Sequence, residues 1–218
     1  MAVKNESSFA DCVIVACGTL SIELNHLKKC GLLDARRILY TRPGRHEVPK
    51  ELESRLVRKI AIARRYSEVI LVVYGGKFCH INPSNPGRGI DDILAEQGPG
   101  IARVGASHCV DMLADAEQRE RMSGGAKTFW LTPGWIVYRD FVFQDWDVGL
   151  ANETFPQCKG GAVLLDAVGF WDRYCEAHPE RVLDFSDWMG IPIVPQPVSL
   201  DRLTGLLSAC ASKAREAA

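Results

Sequence analysis

The stretch Asp11-Cys12-Val13-Ile14-Val15-Ala16-Cys17-Gly18-Thr19-Leu20 decides the fold. Val13 to Ala16 form a short apolar run, partly β-branched, which predicts a buried strand. The run stops at Cys17-Gly18-Thr19, and Ser21-Ile22-Glu23-Leu24 begins a helical pattern. A thiol therefore stands where a strand gives way to a helix, the edge at which open α/β sheets bind ligands. The arrangement returns twice. Val69 to Tyr74 end in Gly75-Gly76 with Cys79 just beyond, and Ile101 to Val104 end in Gly105 with His108-Cys109 just beyond.

Between and after these runs the chain alternates strand-like and helix-like segments. Arg37-Ile38-Leu39-Tyr40 reads as a strand. Lys50 to Tyr66 reads as a long helix, with Leu52, Leu56, Ile60 and Ile62 as its apolar points. Residues 75–89, rich in Gly, Pro, Asn and Ser, predict a long loop of the kind that carries function. A short helix is expected over Ile90 to Gln97, its start capped by Asp91 or Asp92, and another over Val110 to Arg121. Lys127 to Thr132 reads as a strand broken by Pro133-Gly134. The rest predicts helices over Ile136 to Phe143 and Gly161 to Tyr174, strand pieces at Val182 to Phe185 and Ile191 to Val194, and a last helix over Leu200 to Glu216. The expected fold is α/β: a three-layer, mostly parallel Rossmann-like sheet with helices on both faces. Residues 1–10 are expected to be a flexible N-terminus, and residues 11–218 a single domain.

Composition narrows the function. A net charge of −1 gives no field that would draw the chain to nucleic acid or an anionic membrane. No run approaches a membrane-spanning length, and residues 1–9 lack the apolar core of a signal peptide. A cytoplasmic protein is expected. Such a setting does not favour a disulfide framework for the eight cysteines, and no CxxC pair is present. Cys12, Cys30, Cys175 and Cys210 read as small buried hydrophobes.

The remaining pattern is the three cysteines at equivalent strand ends. Strands in one sheet lie roughly 4.8 Å apart, so Cys17, Cys79 and Cys109 can share one site. Three thiolates leave a fourth position open, the mark of a catalytic metal centre. Zinc, or a four-iron cluster with one open iron, meets that pattern; simple lining of the sheet edge does too. His80 and His108 adjoin two of the cysteines and suit a fourth ligand or a general acid/base. Arg42 and Arg45, with His46, suit an anionic small-molecule substrate. Gly75-Gly76 would let backbone approach a ligand. Trp130, Trp135 and Tyr138 read as core packing. No phosphate-binding glycine motif stands between a strand and a helix.

Ala16-Cys17-Gly18-Thr19-Leu20 with Glu23, Thr41-Arg42-Pro43, Tyr74-Gly75-Gly76 with a following cysteine, His108-Cys109 and Thr128 to Trp135 occur in an order that resembles the DUF1638 family over Val13 to Val198. Lys77, Phe78 and His80 depart from the tighter Tyr-Gly-x-Cys-Gly arrangement usual there. The resemblance implies that Cys17, Cys79 and Cys109 are the retained cysteines. It tilts the metal toward an iron–sulfur cluster, with zinc as the alternative. It also implies a setting near corrinoid-dependent methyltransferases, in methyl-group or one-carbon metabolism. The expected activity is that of a metal-thiolate enzyme on a small molecule. The alternatives are an accessory or metal-delivery protein for a corrinoid protein or methyltransferase, and a metal-free Cys/His enzyme. A homo-oligomer is compatible with all three.

Overall fold

The computed structural model describes residues 8–44, 48–76, 79–80 and 82–218. Strand β1 (Cys12–Cys17) leads through a 3-10 turn (Gly18–Leu20) into α1 (Ser21–Lys29). Strand β2 (Arg37–Thr41), helix α2 (Pro49–Ala63) and strand β3 (Val69–Val73) follow. Then come α3 (Ile90–Ala95) and β4 (Ile101–Arg103). These four strands form one parallel sheet in the order β2-β1-β3-β4.

Period-two alternation explains how β1 and β3 sit. Cys12, Ile14 and Ala16 face one side of the sheet with Leu71 and Val73, packed under Leu24 and Leu27 of α1. Val13 and Val15 face the other with Ile70, Val72 and Tyr74. There the α2 stripe Leu52, Leu56, Ile60 and Ala63 covers them. Each fully buried aliphatic side chain of this kind contributes roughly 1.5–3 kcal/mol. The sheet is thus buried on both faces, as parallel sheets are, and the three-layer α/β expectation holds.

The second half forms a sheet of its own. A 3-10 turn (Val110–Met112) precedes α4 (Ala116–Ser123) and β5 (Phe129–Leu131). Next are α5 (Pro133–Val137), α6 (Arg139–Val142), α7 (Val148–Thr154) and a 3-10 turn (Phe155–Gln157). Strand β6 (Ala162–Asp166), α8 (Phe170–Ala177), α9 (Pro179–Met189) and β7 (Ile193–Pro197) complete a parallel β5-β6-β7 sheet. Helix α10 (Asp201–Glu216) then returns to the first sheet and buries Leu203, Leu207 and Cys210 on the α1 side.

Several expectations change here. Residues 162–166 are a strand, not the start of a helix: a short apolar run reads the same either way. Val182 to Phe185 lie inside α9, where Phe185 and Met189 are the buried points. Val110 to Arg121 is not one helix, because Asp115 accepts from the Gln118 N–H and starts α4 afresh. Pro133 ends the strand as expected and also opens α5, since its missing N–H costs nothing at a first helical position. Of the expected flexible N-terminus, residues 1–7 lie outside the described residues. Phe9 is buried in the core, and its N–H donates to Asp34. Cys12 and Cys210 are buried as expected, whereas Cys30 is exposed and Cys175 half-buried. All eight cysteines are free. No helix among the described residues is long and apolar enough to cross a membrane.

The two sheets meet backbone on backbone. A Cβ on Gly134, at the start of α5, would lie 2.1 Å from the Thr19 carbonyl oxygen. The Thr132 hydroxyl donates to that same oxygen at 3.2 Å. Gly134→Ala is therefore expected to force the sheets apart and cost about 1–3 kcal/mol, read as a lower urea midpoint. An unchanged midpoint would mean that this crossing does not hold the halves together.

Candidate functional site

The strand exits that carry cysteines open into one cavity. Cys17 ends β1 level with Thr41 of β2, and Val73 of β3 is level with Ala16. The lining includes Cys17, Cys79 and Cys109 together, with Thr19, Thr41, Tyr74, Arg42 and Arg55 as its other polar side chains. Leu20, Leu52, Val73, Met112, Trp135 and Val142 make the rest largely apolar. The second sheet thus closes the cavity from the α5–α6 side.

The loops after β3 and β4 are stitched together. Gly76 N–H donates to the Ala106 carbonyl at 2.9 Å. A Cβ on Gly75 would lie 2.4 Å from the His108 Cα. Gly75 thus admits the neighbouring loop and also lines the cavity. The Arg103 guanidinium donates to the Val104 and Ala106 carbonyls at 2.7 and 2.9 Å and pairs with Asp91. Asp92 caps α3 by accepting from the Gly89 N–H.

Each thiol is pushed up, and the causes are physical. Burial raises Cys17, while the Thr19 hydroxyl, donating to its sulfur at 3.2 Å, works the other way. Burial raises Cys79 further, with the neighbouring Cys109 and Cys17 adding to it. Cys109 is raised by burial to about 11, restrained by the Trp135 indole N–H, which donates to its sulfur at 3.2 Å. Tyr74 is raised well above its ordinary value by burial, then by Cys17, and its hydroxyl hydrogen-bonds Thr41. Burial thus favours the protonated form of each of these groups.

The other expected residues are placed as follows. Arg42 lies on the cavity wall, its guanidinium 4.0 Å over the Phe141 ring. Arg45 and His46 lie outside the described residues. His80 is not on the lining. Its Nδ1 lies 3.0 Å from the Arg88 carbonyl and its Nε2 3.9 Å from Glu53, and Arg88 in turn bridges Glu53 and Glu96. That arrangement anchors the loop carrying Cys79 to α2 and α3. His108 is also off the lining. Its Nδ1 accepts from the Asp111 N–H, and burial lowers its pKa, so it is held neutral with the proton on Nε2. Neither histidine, expected as a fourth ligand or an acid/base group, is on the cavity lining; His80 holds its loop and His108 a local turn.

Sequence reading missed Thr19, Tyr74, Arg55 and Trp135. Trp135 was assigned to core packing, because nothing in a linear sequence shows that the second sheet reaches the first at Cys109.

The fit of a metal can be judged from the donors. Three half-buried sulfurs share one cavity, and two of them accept hydrogen bonds, as metal-bound thiolates do. The set suits a soft, thiophilic metal. As placed, no three His, Cys, Asp or Glu side chains among the described residues converge closely enough to hold an ion, so binding would require the thiols to turn inward.

A family model described as "Protein of unknown function (DUF1638)" matches residues 40–207. The chain belongs to the DUF1638 family. The DUF1638 match includes Cys79 and Cys109, while Cys17 lies ahead of it and is delivered to the same cavity by β1. No curated protein and no solved structure matches the chain.

Glu23 of α1 is fully buried, and neither carboxyl oxygen has a hydrogen-bond partner among the described residues. Burial raises it to about 8, with Asp166 adding to the shift. In the unfolded chain the group ionises near its ordinary value of 4.5. The unfolded state therefore binds fewer protons across that interval, and stability falls as pH rises through it. Glu23's contribution is full below about pH 4.5 and lost as pH climbs through about 8. Glu23→Gln is expected to flatten this slope and to be more stable than wild type at pH 8 by a few kcal/mol, on the order of the linkage term. Parallel pH–stability curves for the two proteins would refute a neutral buried carboxyl.

Proposed function

We propose that Cys17, Cys79 and Cys109 hold a thiolate-bound metal centre, an iron–sulfur cluster in preference to zinc, which acts on a small molecule in the cavity. The observation that supports this most is that three thiols from three separate strand exits line one largely apolar cavity. Neutral thiols that crowd and repel as anions become stable thiolates once a cation joins them. A bound metal with an open position supplies Lewis acidity. The chain's own residues do the rest. The Trp135 and Thr19 donors tune two of the sulfurs, Arg42 orients an anionic group, and the apolar walls exclude water.

A metal-free Cys/His enzyme has less support. It needs a low-pKa thiol beside an imidazole, and here burial raises all three thiols and neither neighbouring histidine lines the cavity. The family resemblance favours methyl-group metabolism as the setting, beside a corrinoid protein or methyltransferase.

Metal analysis of anaerobically purified protein is the test. Stoichiometric iron with broad visible absorption, or stoichiometric zinc without it, is expected. Cys17→Ala, Cys79→Ala and Cys109→Ala should each lose most of the metal, while Cys30→Ala keeps it. Wild-type protein without stoichiometric metal, or a Cys17→Ala and Cys109→Ala pair that retains it, would overturn the proposal.

A further inference from the structure

The cavity's charge is unbalanced by its own lining. Two arginines line it from different walls, Arg42 from the segment after β2 and Arg55 from α2, and among the described residues no carboxylate joins them on the lining. Glu51, one turn earlier on α2, pairs with Arg55 and aims it. That pair commits part of the Arg55 guanidinium to Glu51, so a ligand meets two forked donors rather than a large positive field.

Shape and polarity narrow the ligand further. Beyond the thiols and arginines, the walls carry the apolar Leu20, Leu52, Val73, Met112, Trp135 and Val142 and the hydroxyls of Thr19, Thr41 and Tyr74. The apolar side chains offer a ligand's body contact, while the Thr19 hydroxyl and the Trp135 indole N–H are given to Cys17 and Cys109 and the Thr41 and Tyr74 hydroxyls hydrogen-bond each other. A guanidinium presents paired donors that match the two oxygens of a carboxylate. We propose that the cavity takes a small monocarboxylate with a short apolar body, its carboxylate docked between Arg42 and Arg55 and its body against the leucine and valine wall. The carboxylate names the anionic group of the proposed reading, and the arginine pair and the apolar wall carry it whether or not a metal is bound.

Titration calorimetry on the full chain, purified anaerobically and assayed for metal in the same sample, tests this with propionate, propionamide and inorganic phosphate as probes. Saturable propionate binding is expected, at least tenfold tighter than either of the others. Arg55→Gln and Arg42→Gln should each weaken it fivefold or more. Arg58→Gln, an exposed α2 arginine off the lining, should bind as wild type, and Arg42→Gln carries the test if Arg55→Gln fails to fold. Equal binding of propionamide or phosphate, no saturable propionate binding, or arginine variants that bind as wild type would overturn the inference. Metal-bearing protein that ignores propionate overturns it and leaves the metal centre standing. Metal-free protein that binds propionate through both arginines supports the carboxylate site and overturns the metal centre instead.

Discussion

The contact between Gly134 and the Thr19 carbonyl is the constraint on which the rest of the site depends. No side chain fits there, since even a Cβ would collide with the Thr19 backbone. Because the two backbones touch, α5 arrives over the C-terminal edge of the first sheet. Trp135, one residue on, then reaches the Cys109 sulfur, and Thr132, two residues before, donates to the Thr19 carbonyl. The Ser21 and Tyr138 hydroxyls meet across the same seam. Separating the sheets by the width of a methyl group would withdraw the indole donor and open the cavity to water.

Burial governs the chemistry inside that seam. Placing charge in a dry, apolar space is costly, so the groups there are neutral unless something compensates. Cys17, Cys79, Cys109 and Tyr74 are all shifted toward their protonated forms, with burial the largest cause in each case. Glu23 obeys the same rule from the neighbouring helix. The hydrogen bonds that Thr19 and Trp135 give to sulfur run against the trend. They favour thiolate, and a bound cation is what would bring that form within reach of neutral pH.

Much of the first sheet was legible in the chain. The apolar runs at Val13 and Val69 are fully buried strands, and their alternation separates Cys12, which faces the core, from Cys17, which faces the cavity. The recurrence of a cysteine after each strand was enough to expect the three cysteines on the lining of one cavity. The second sheet was less legible. Ala162 to Asp166 is apolar on both faces, and such a run has no period by which to tell strand from helix. With β6 unread, the crossing at Gly134 was invisible, and so was Trp135's role. His80 and His108 looked functional because adjacency in sequence was taken for adjacency in space. The chain turns between each histidine and its cysteine, and their rings serve loop anchoring and a local turn.

The central claim is that three sulfurs from three strand exits share one metal. X-ray absorption at the metal edge, on anaerobically purified protein, measures that shell directly. The account predicts sulfur scatterers at about 2.3 Å from the metal, with the sulfur count falling in Cys17→Ala and Cys109→Ala. A first shell made only of nitrogen and oxygen, unchanged in both variants, would contradict it.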